Sequence, residues 1–102
     1  MEKVIAGQNV NVNEEGYLTD MNQWNEDIAR ELAKENGIEL TPKHFDVIHF
    51  LRDQQKKDVT LSIRGVGKSG VVDIKTFYDL FPKGPLKLAS KIAGIPKPHS
   101  CV

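Results

Sequence analysis

The chain has 102 residues with 14 basic and 14 acidic side chains, one cysteine and eight glycines. That length allows one domain with a modest core and excludes most multidomain enzymes and large cofactor-binding folds. A net charge of zero argues against a nucleic-acid coat or a membrane-surface protein, although residues 1–51 carry 4 basic and 10 acidic groups and residues 52–102 the reverse. The halves are expected to attract each other within the fold, and the basic half could also meet an anionic partner.

The N-terminal stretch Val4-Ile5-Ala6, Gly7-Gln8-Asn9, Val10-Asn11-Val12 reads as a short hairpin turning at Gly7–Asn9. From Asp20 to Asn36 the residues Met21, Trp24, Ile28 and Leu32 recur at spacings of three and four, which predicts one helix ended by Gly37. Trp24 falls in that stripe and is expected to be core. Thr41-Pro42 opens a second helix as cap and first residue, with Phe45, Ile48 and Leu51 as its buried stripe, fading near Gln55–Lys57.

Val59, Leu61 and Ile63 alternate like a strand, yet Gly65, Gly67 and Gly70 interrupt any long element. Asp73 can cap a helix with Ile74, Phe77, Leu80 and Phe81, stopped by Pro82 and Gly84. A last helix over Pro85–Ala93 carries Leu86, Leu88, Ala89 and Ile92 and ends at Gly94. Pro96 and Pro98 bias the remaining residues to an extended form that holds the tip away from the body. The expected fold is mainly α: a small helical bundle with a short N-terminal β-hairpin and an extended C-terminal arm. Residues 1–94 make the single domain and 95–102 a flexible arm bearing the thiol.

Gly65-Val66-Gly67-Lys68-Ser69 imitates part of a phosphate loop, but Ser62 stands where the motif needs its first glycine. Nucleotide hydrolysis is rejected, and the segment is read as a flexible glycine turn with exposed cations. His44 and His49 are five apart and project about 140° from one another on a helix, so they are not a metal pair. Each is expected to be a partly buried structural histidine. No cofactor or metal is expected, and one thiol can form neither an internal disulfide nor a four-cysteine zinc site. With no signal-like N-terminus and no apolar run of about 20 residues, a soluble cytoplasmic protein with no membrane partner is expected.

Cys101, second from the end, is where any chemistry must lie. A thiolate attacks a persulfide or disulfide sulfur at a rate set by its pKa and by access. A proline-stiffened arm can enter another protein's pocket, but a loose tip cannot preorganise a substrate site, so the geometry suits a carrier better than a stand-alone enzyme. His99 lies two residues before the thiol, and Lys83, Lys87, Lys91 and Lys97 recur nearby. His99, Lys97 and Lys91 are candidate helpers that would favour the thiolate and draw in an anionic partner, against the plainer account of a solvated helix face.

Leu80-Phe81-Pro82-Lys83-Gly84-Pro85 and the run from Ala89 through Ala93-Gly94-Ile95-Pro96-Lys97-Pro98 to Cys101-Val102 closely resemble the ending of the DsrC/TusE family, typically L-F-P-x-G-P then A-C-K-x-A-G-L-P-K-P-x-G-C-[IV]. The likeness extends through Glu15-Gly16-Tyr17-Leu18, Trp24, Leu40-Thr41 and Phe45 to Arg52. The resemblance implies a helical carrier fold, able to swap its arm, with Cys101 as the persulfide-bearing residue. It implies as partners a sulfur-donor relay complex of the TusBCD or DsrEFH kind and an acceptor such as the tRNA 2-thiouridylase. In DsrC-like members a second cysteine eleven residues upstream forms a disulfide or trisulfide; here that position is Ser90.

The segment between Arg52 and Phe77 is also shorter than in typical DsrC sequences, and Ser100 replaces a usual glycine. The serine at 90 and the shortened segment favour the single-cysteine sulfur-relay role, with tRNA 2-thiouridine synthesis as the destination. A single-cysteine protein serving a sulfite reductase or heterodisulfide-reductase-like complex, and a regulatory DNA-binding module, stand as alternatives.

Overall fold

In the computed structural model, residues 1–82 and 84–98 are described. Strands β1 (Glu2–Ile5) and β2 (Gln8–Asn11) pair antiparallel, with Ile5 opposite Gln8 and Lys3 opposite Val10. The turn is Ala6-Gly7, both in the left-handed region at φ of 53° and 75°, and not the Gly7–Asn9 turn expected. A two-residue turn of this hand matches the twist of the strands. Its register puts Ile5, Val10 and Val12 on the face that packs inward, where all three are buried.

The single helix expected over Asp20–Asn36 is split. Asp20 caps a short 3-10 turn, Met21–Gln23, and Trp24 is extended. Asn25 then starts α1 (Glu26–Glu35) by accepting the Ile28 N–H at 2.9 Å. Two capping side chains in six residues outcompete continuous helix, because each offers the backbone a local partner that the helix interior would forfeit. Helix α1 buries Ile28, Ala29, Leu32 and Ala33.

Helix α2 (Pro42–Lys56) begins at the Thr41 cap with Pro42 as its first residue. Its buried stripe is His44, Val47, Ile48 and Leu51, whereas Phe45 is only half-buried. The segment read as a strand and a loose glycine turn is instead α3 (Ile63–Lys68), capped by Ser62, whose hydroxyl accepts the Gly65 N–H at 2.9 Å. Gly67 serves close packing: a Cβ there would lie 2.5 Å from Cγ1 of Ile74 at the start of α4 (Ile74–Leu80).

Helix α5 (Pro85–Ile92) packs on α1, α2 and α4 and is the centre of the molecule. Leu86 and Ile92 are at most 1% exposed, and the core continues through Phe77, Phe81, Ile48, Leu51 and Ile95. Burial of Leu86 and Ile92 contributes about 3–6 kcal/mol, enough to pin a two-turn helix that would not persist alone. The first arm residue, Ile95, therefore belongs to the core, and its amide donates to the Ser90 carbonyl at 3.2 Å.

Candidate functional site

Cys101 and His99 lie outside the described residues, as does Lys83. The structure does describe the root from which the arm departs, and it is built from three separate parts of the chain. Helix α5 ends with carbonyls that have no partner within the helix. The Trp24 indole N–H donates to the Ile92 carbonyl at 2.9 Å. The Arg52 guanidinium, from the last third of α2, donates through Nη1 to the Ala93 carbonyl at 2.8 Å and through Nη2 to the Met21 carbonyl at 3.0 Å.

Arg52 also lies over Trp24, with its Cζ 4.2 Å from the ring centroid. A planar fork of donors fits two carbonyls at once, and its charge sits at the negative end of α5. Burial lowers the Arg52 pKa from its ordinary value, but a guanidinium remains charged. The break after the 3-10 turn is what aims Trp24 at α5. Between them passes Gly94, at φ 69°, where a Cβ would collide with Cβ, Cγ and Cδ1 of Trp24. The glycine thus has two reasons to be there: the left-handed turn that ends α5 and the lack of room beside the indole.

A second element holds the arm further out. The Asn13 side chain accepts the N–H groups of Glu15 and Tyr17 at 2.9 and 3.0 Å, folding residues 13–17 into a tight turn that Gly16 completes at φ 89°. That turn presents Glu15 to Lys97, with Oε2 2.9 Å from Nζ. It also presents the ring of Tyr17 to Lys91, whose Nζ is 5.2 Å from the centroid. The Tyr17 hydroxyl donates to the Lys87 carbonyl at 3.4 Å. The Tyr17 pKa is raised by burial, then by Glu15, with Lys97 acting in the opposite sense.

Two of the candidate helpers, Lys91 and Lys97, are therefore brought to one turn, together with partners that the sequence reading did not single out as a set. Pro96, Lys97 and Pro98 face Gln55 and Asp58–Leu61 across a shallow cleft. Ser90, eleven residues before the thiol, is fully buried in α5, and its hydroxyl has no hydrogen-bond partner among the described residues.

The two remaining histidines differ from each other. His44 is 6% exposed, and its Nδ1 accepts the Thr41 N–H at 3.0 Å while Nε2 donates to the Leu80 carbonyl at 3.0 Å. That pattern assigns the neutral tautomer with the proton on Nε2. Burial lowers its pKa, and the Leu80 carbonyl opposes the shift. His49, expected to be partly buried, has a side chain more than half exposed and pairs with Glu26 at 3.5 Å. It follows Ile48 on α2 but falls off the stripe that faces α5.

Among the described residues, no cluster of three or more His, Cys, Asp or Glu could hold a metal ion, and no helix is long and apolar enough to cross a membrane. The expected attraction between the two halves has one representative among the described ion pairs, Lys97–Glu15. Lys3–Glu35, the Arg30 pairs and His49–Glu26 lie within the first half, and Lys57–Asp53 within the second.

The chain matches the family described as DsrC like protein over residues 4–102. It is 36% identical over 107 residues to the sulfurtransferase TusE of Escherichia coli strain K12, covering 97% of this chain and 98% of that one. It is 40% identical over 106 residues to a sulfurtransferase TusE homolog of Haemophilus influenzae, covering 96% and 97%. Among solved structures it superposes on Allochromatium vinosum DsrC with a TM-score of 0.81 at 38% identity. The oxidized γ-subunit of the dissimilatory sulfite reductase (DsrC) from Archaeoglobus fulgidus gives 0.81 at 37%, and both matches cover all of each chain. By full-length similarity in sequence and in fold, the chain belongs to the DsrC-like family.

Proposed function

We propose that this protein is a sulfur-relay carrier that accepts a persulfide sulfur on Cys101 and passes it to an acceptor enzyme in tRNA 2-thiouridine synthesis. The observation that carries this reading is one thiol in the whole chain, nine residues beyond the end of α5, an end that Arg52, Trp24 and Gly94 lock in place. Residues 1–94 are the body and 95–102 the arm that enters the pocket of a partner. In the transfer, the Cys101 thiolate attacks the terminal sulfur of a donor persulfide. A new S–S bond forms on Cys101 as the donor's S–S bond breaks, and the donor leaves as a thiolate that takes up the proton Cys101 released to solvent. Delivery is the same exchange with the acceptor thiolate attacking, so no oxidant or reductant is consumed.

Lys91, Lys97 and His99 act in support. Lys97 with Glu15 holds the start of the arm, and Lys91 with Tyr17 holds α5, against the 13–17 turn, and their charge raises the local potential that favours a thiolate. The donor is a relay complex of the TusBCD or DsrEFH kind and the acceptor a tRNA 2-thiouridylase. Service to a sulfite reductase or heterodisulfide-reductase-like complex is the less favoured destination, because Ser90 leaves Cys101 without an internal thiol to pair with.

The test is intact-mass spectrometry of wild type and Cys101→Ala after incubation with cysteine, a cysteine desulfurase and the relay proteins. A gain of one sulfur atom on the wild type alone is expected. No gain with an active donor present overturns the carrier reading.

A further inference from the structure

We propose that Arg52 and Trp24 are positioning residues for this sulfur transfer: they set the direction in which the arm leaves the body and so decide whether Cys101 reaches the reacting sulfur of a docked partner. The inference rests on the carrier reading and adds to it the residues that aim the thiol.

Two hydrogen bonds reach the end of α5, and two further contacts brace their donors. Arg52 holds the Ala93 carbonyl and Trp24 the Ile92 carbonyl, while the guanidinium lies over the indole and ties the pair to the Met21 carbonyl. The next residue, Gly94, is the last of the body before the arm and is wedged against the same indole. Ile95 is buried, so the chain cannot swivel there without leaving the core.

The lever is long relative to the tolerance of the chemistry. The stretch from Gly94 to Pro98 spans at most about 14 Å when extended, so a rotation of roughly 20° at the root would move Pro98 by about 5 Å and pull Lys97 from Glu15. Reacting atoms must come within about 3–3.5 Å, and a misplacement of about 1 Å can cost a hundredfold in rate. Neither side chain needs to touch the sulfur to control the transfer.

The closing experiment measures single-turnover sulfur transfer from a persulfidated donor to wild type, Arg52→Lys and Trp24→Phe over a range of donor concentrations. Lysine keeps the charge but loses the two-pronged fork and the planar group over the indole. Phenylalanine keeps an aromatic ring but loses the N–H. Alkylation of Cys101 by iodoacetamide is followed on the same samples, since a small reagent does not depend on arm direction. Both variants are expected to lose tenfold or more in the transfer rate at saturating donor. Their half-saturating donor concentration and alkylation rate should stay within twofold of wild type.

Transfer within twofold of wild type in both variants overturns the proposal. So does a loss confined to the half-saturating concentration, which would make the Arg52–Trp24 pair a docking contact, or a parallel fall in alkylation, which would make the effect one on the thiol itself. Wild type that accepts no sulfur from an active donor overturns the carrier reading instead, and the positioning role with it.

Discussion

Gly94→Ala tests how tightly the arm root is built, and Gly37→Ala is its matched control. Gly37 ends α1 at φ 74° and Gly94 ends α5 at φ 69°, so alanine meets the same left-handed backbone at both. That conformation costs an L-residue roughly 1–2 kcal/mol. The surroundings differ: nothing lies within 4 Å of a Cβ at Gly37, whereas at Gly94 it would strike the Trp24 side chain. Trp24 cannot move away cheaply, because its N–H is bound to Ile92 and its face is covered by Arg52. Overpacking of this kind adds about 1–3 kcal/mol.

Gly37→Ala should therefore lose about 1–2 kcal/mol and Gly94→Ala about 2–5 kcal/mol, out of a total of roughly 5–15 kcal/mol for a chain of this size. Urea unfolding followed by far-UV circular dichroism measures both, with Trp24 emission as a second probe at the site itself. A urea slope of about 1–3 kcal/mol per molar converts midpoints into free energies. Losses that agree within about 0.5 kcal/mol would refute the packing argument and leave backbone conformation as the whole effect.

Two further outcomes follow from buried polar groups. Ser90→Ala removes a fully buried hydroxyl that has no partner among the described residues, and should raise stability by about 1 kcal/mol in the same urea assay; a loss of more than about 0.5 kcal/mol would mean that the hydroxyl is satisfied. His44 is held neutral between Thr41 and Leu80 with its pKa lowered, so the unfolded chain binds its proton more readily than the folded one. Stability from this group is complete above the ordinary histidine pKa of about 6.5 and falls as pH drops from there toward the folded-state value. Unfolding midpoints between pH 7.5 and 5 should fall more steeply for wild type than for His44→Gln, and equal slopes would remove His44 from the pH response.

Elements set by neighbours in sequence were legible, and those set by distant partners were not. The start of α2 is written in Thr41-Pro42, and the end of α5 in Gly94, because a cap is a local device. The break in front of α1 was hidden because Met21, Trp24, Ile28 and Leu32 keep a helical spacing, although the residue that ends the pattern is a local cap, Asn25. What Trp24 does instead lies 68 residues away at Ile92. Helix α3 was obscured because Val59, Leu61 and Ile63 alternate in the period of a strand and glycine more often marks a turn. Of its glycines, Gly67 answers to the Ile74 side chain at the start of the next helix and Gly65 to the hydroxyl of the Ser62 cap, packing demands that an alternating pattern does not announce.

The same division applies to the site. Cys101 stood out as the one thiol on a proline-bearing tail, whereas Arg52 was one cation among fourteen basic side chains. A usable signal was present: Arg52 directly follows Leu51, at the edge of a buried stripe, where a charged group needs a partner inside the protein.

The absence of a second thiol bears on why a carrier of this kind keeps its cargo. On the proposed carrier reading, a persulfide on Cys101 would be open to attack by any thiol that can reach its inner sulfur. Attack there forms a disulfide and expels the sulfane sulfur as hydrosulfide, so the cargo is lost without reaching an acceptor. A cysteine at position 90 would place such a thiol in the same molecule, where no dilution protects the persulfide. Serine has no comparable nucleophile at neutral pH, and at this position it is sealed in α5. The remaining routes of discharge use a thiolate from outside the chain. Selectivity then rests on which partner can receive the arm, and therefore on the residues that aim it.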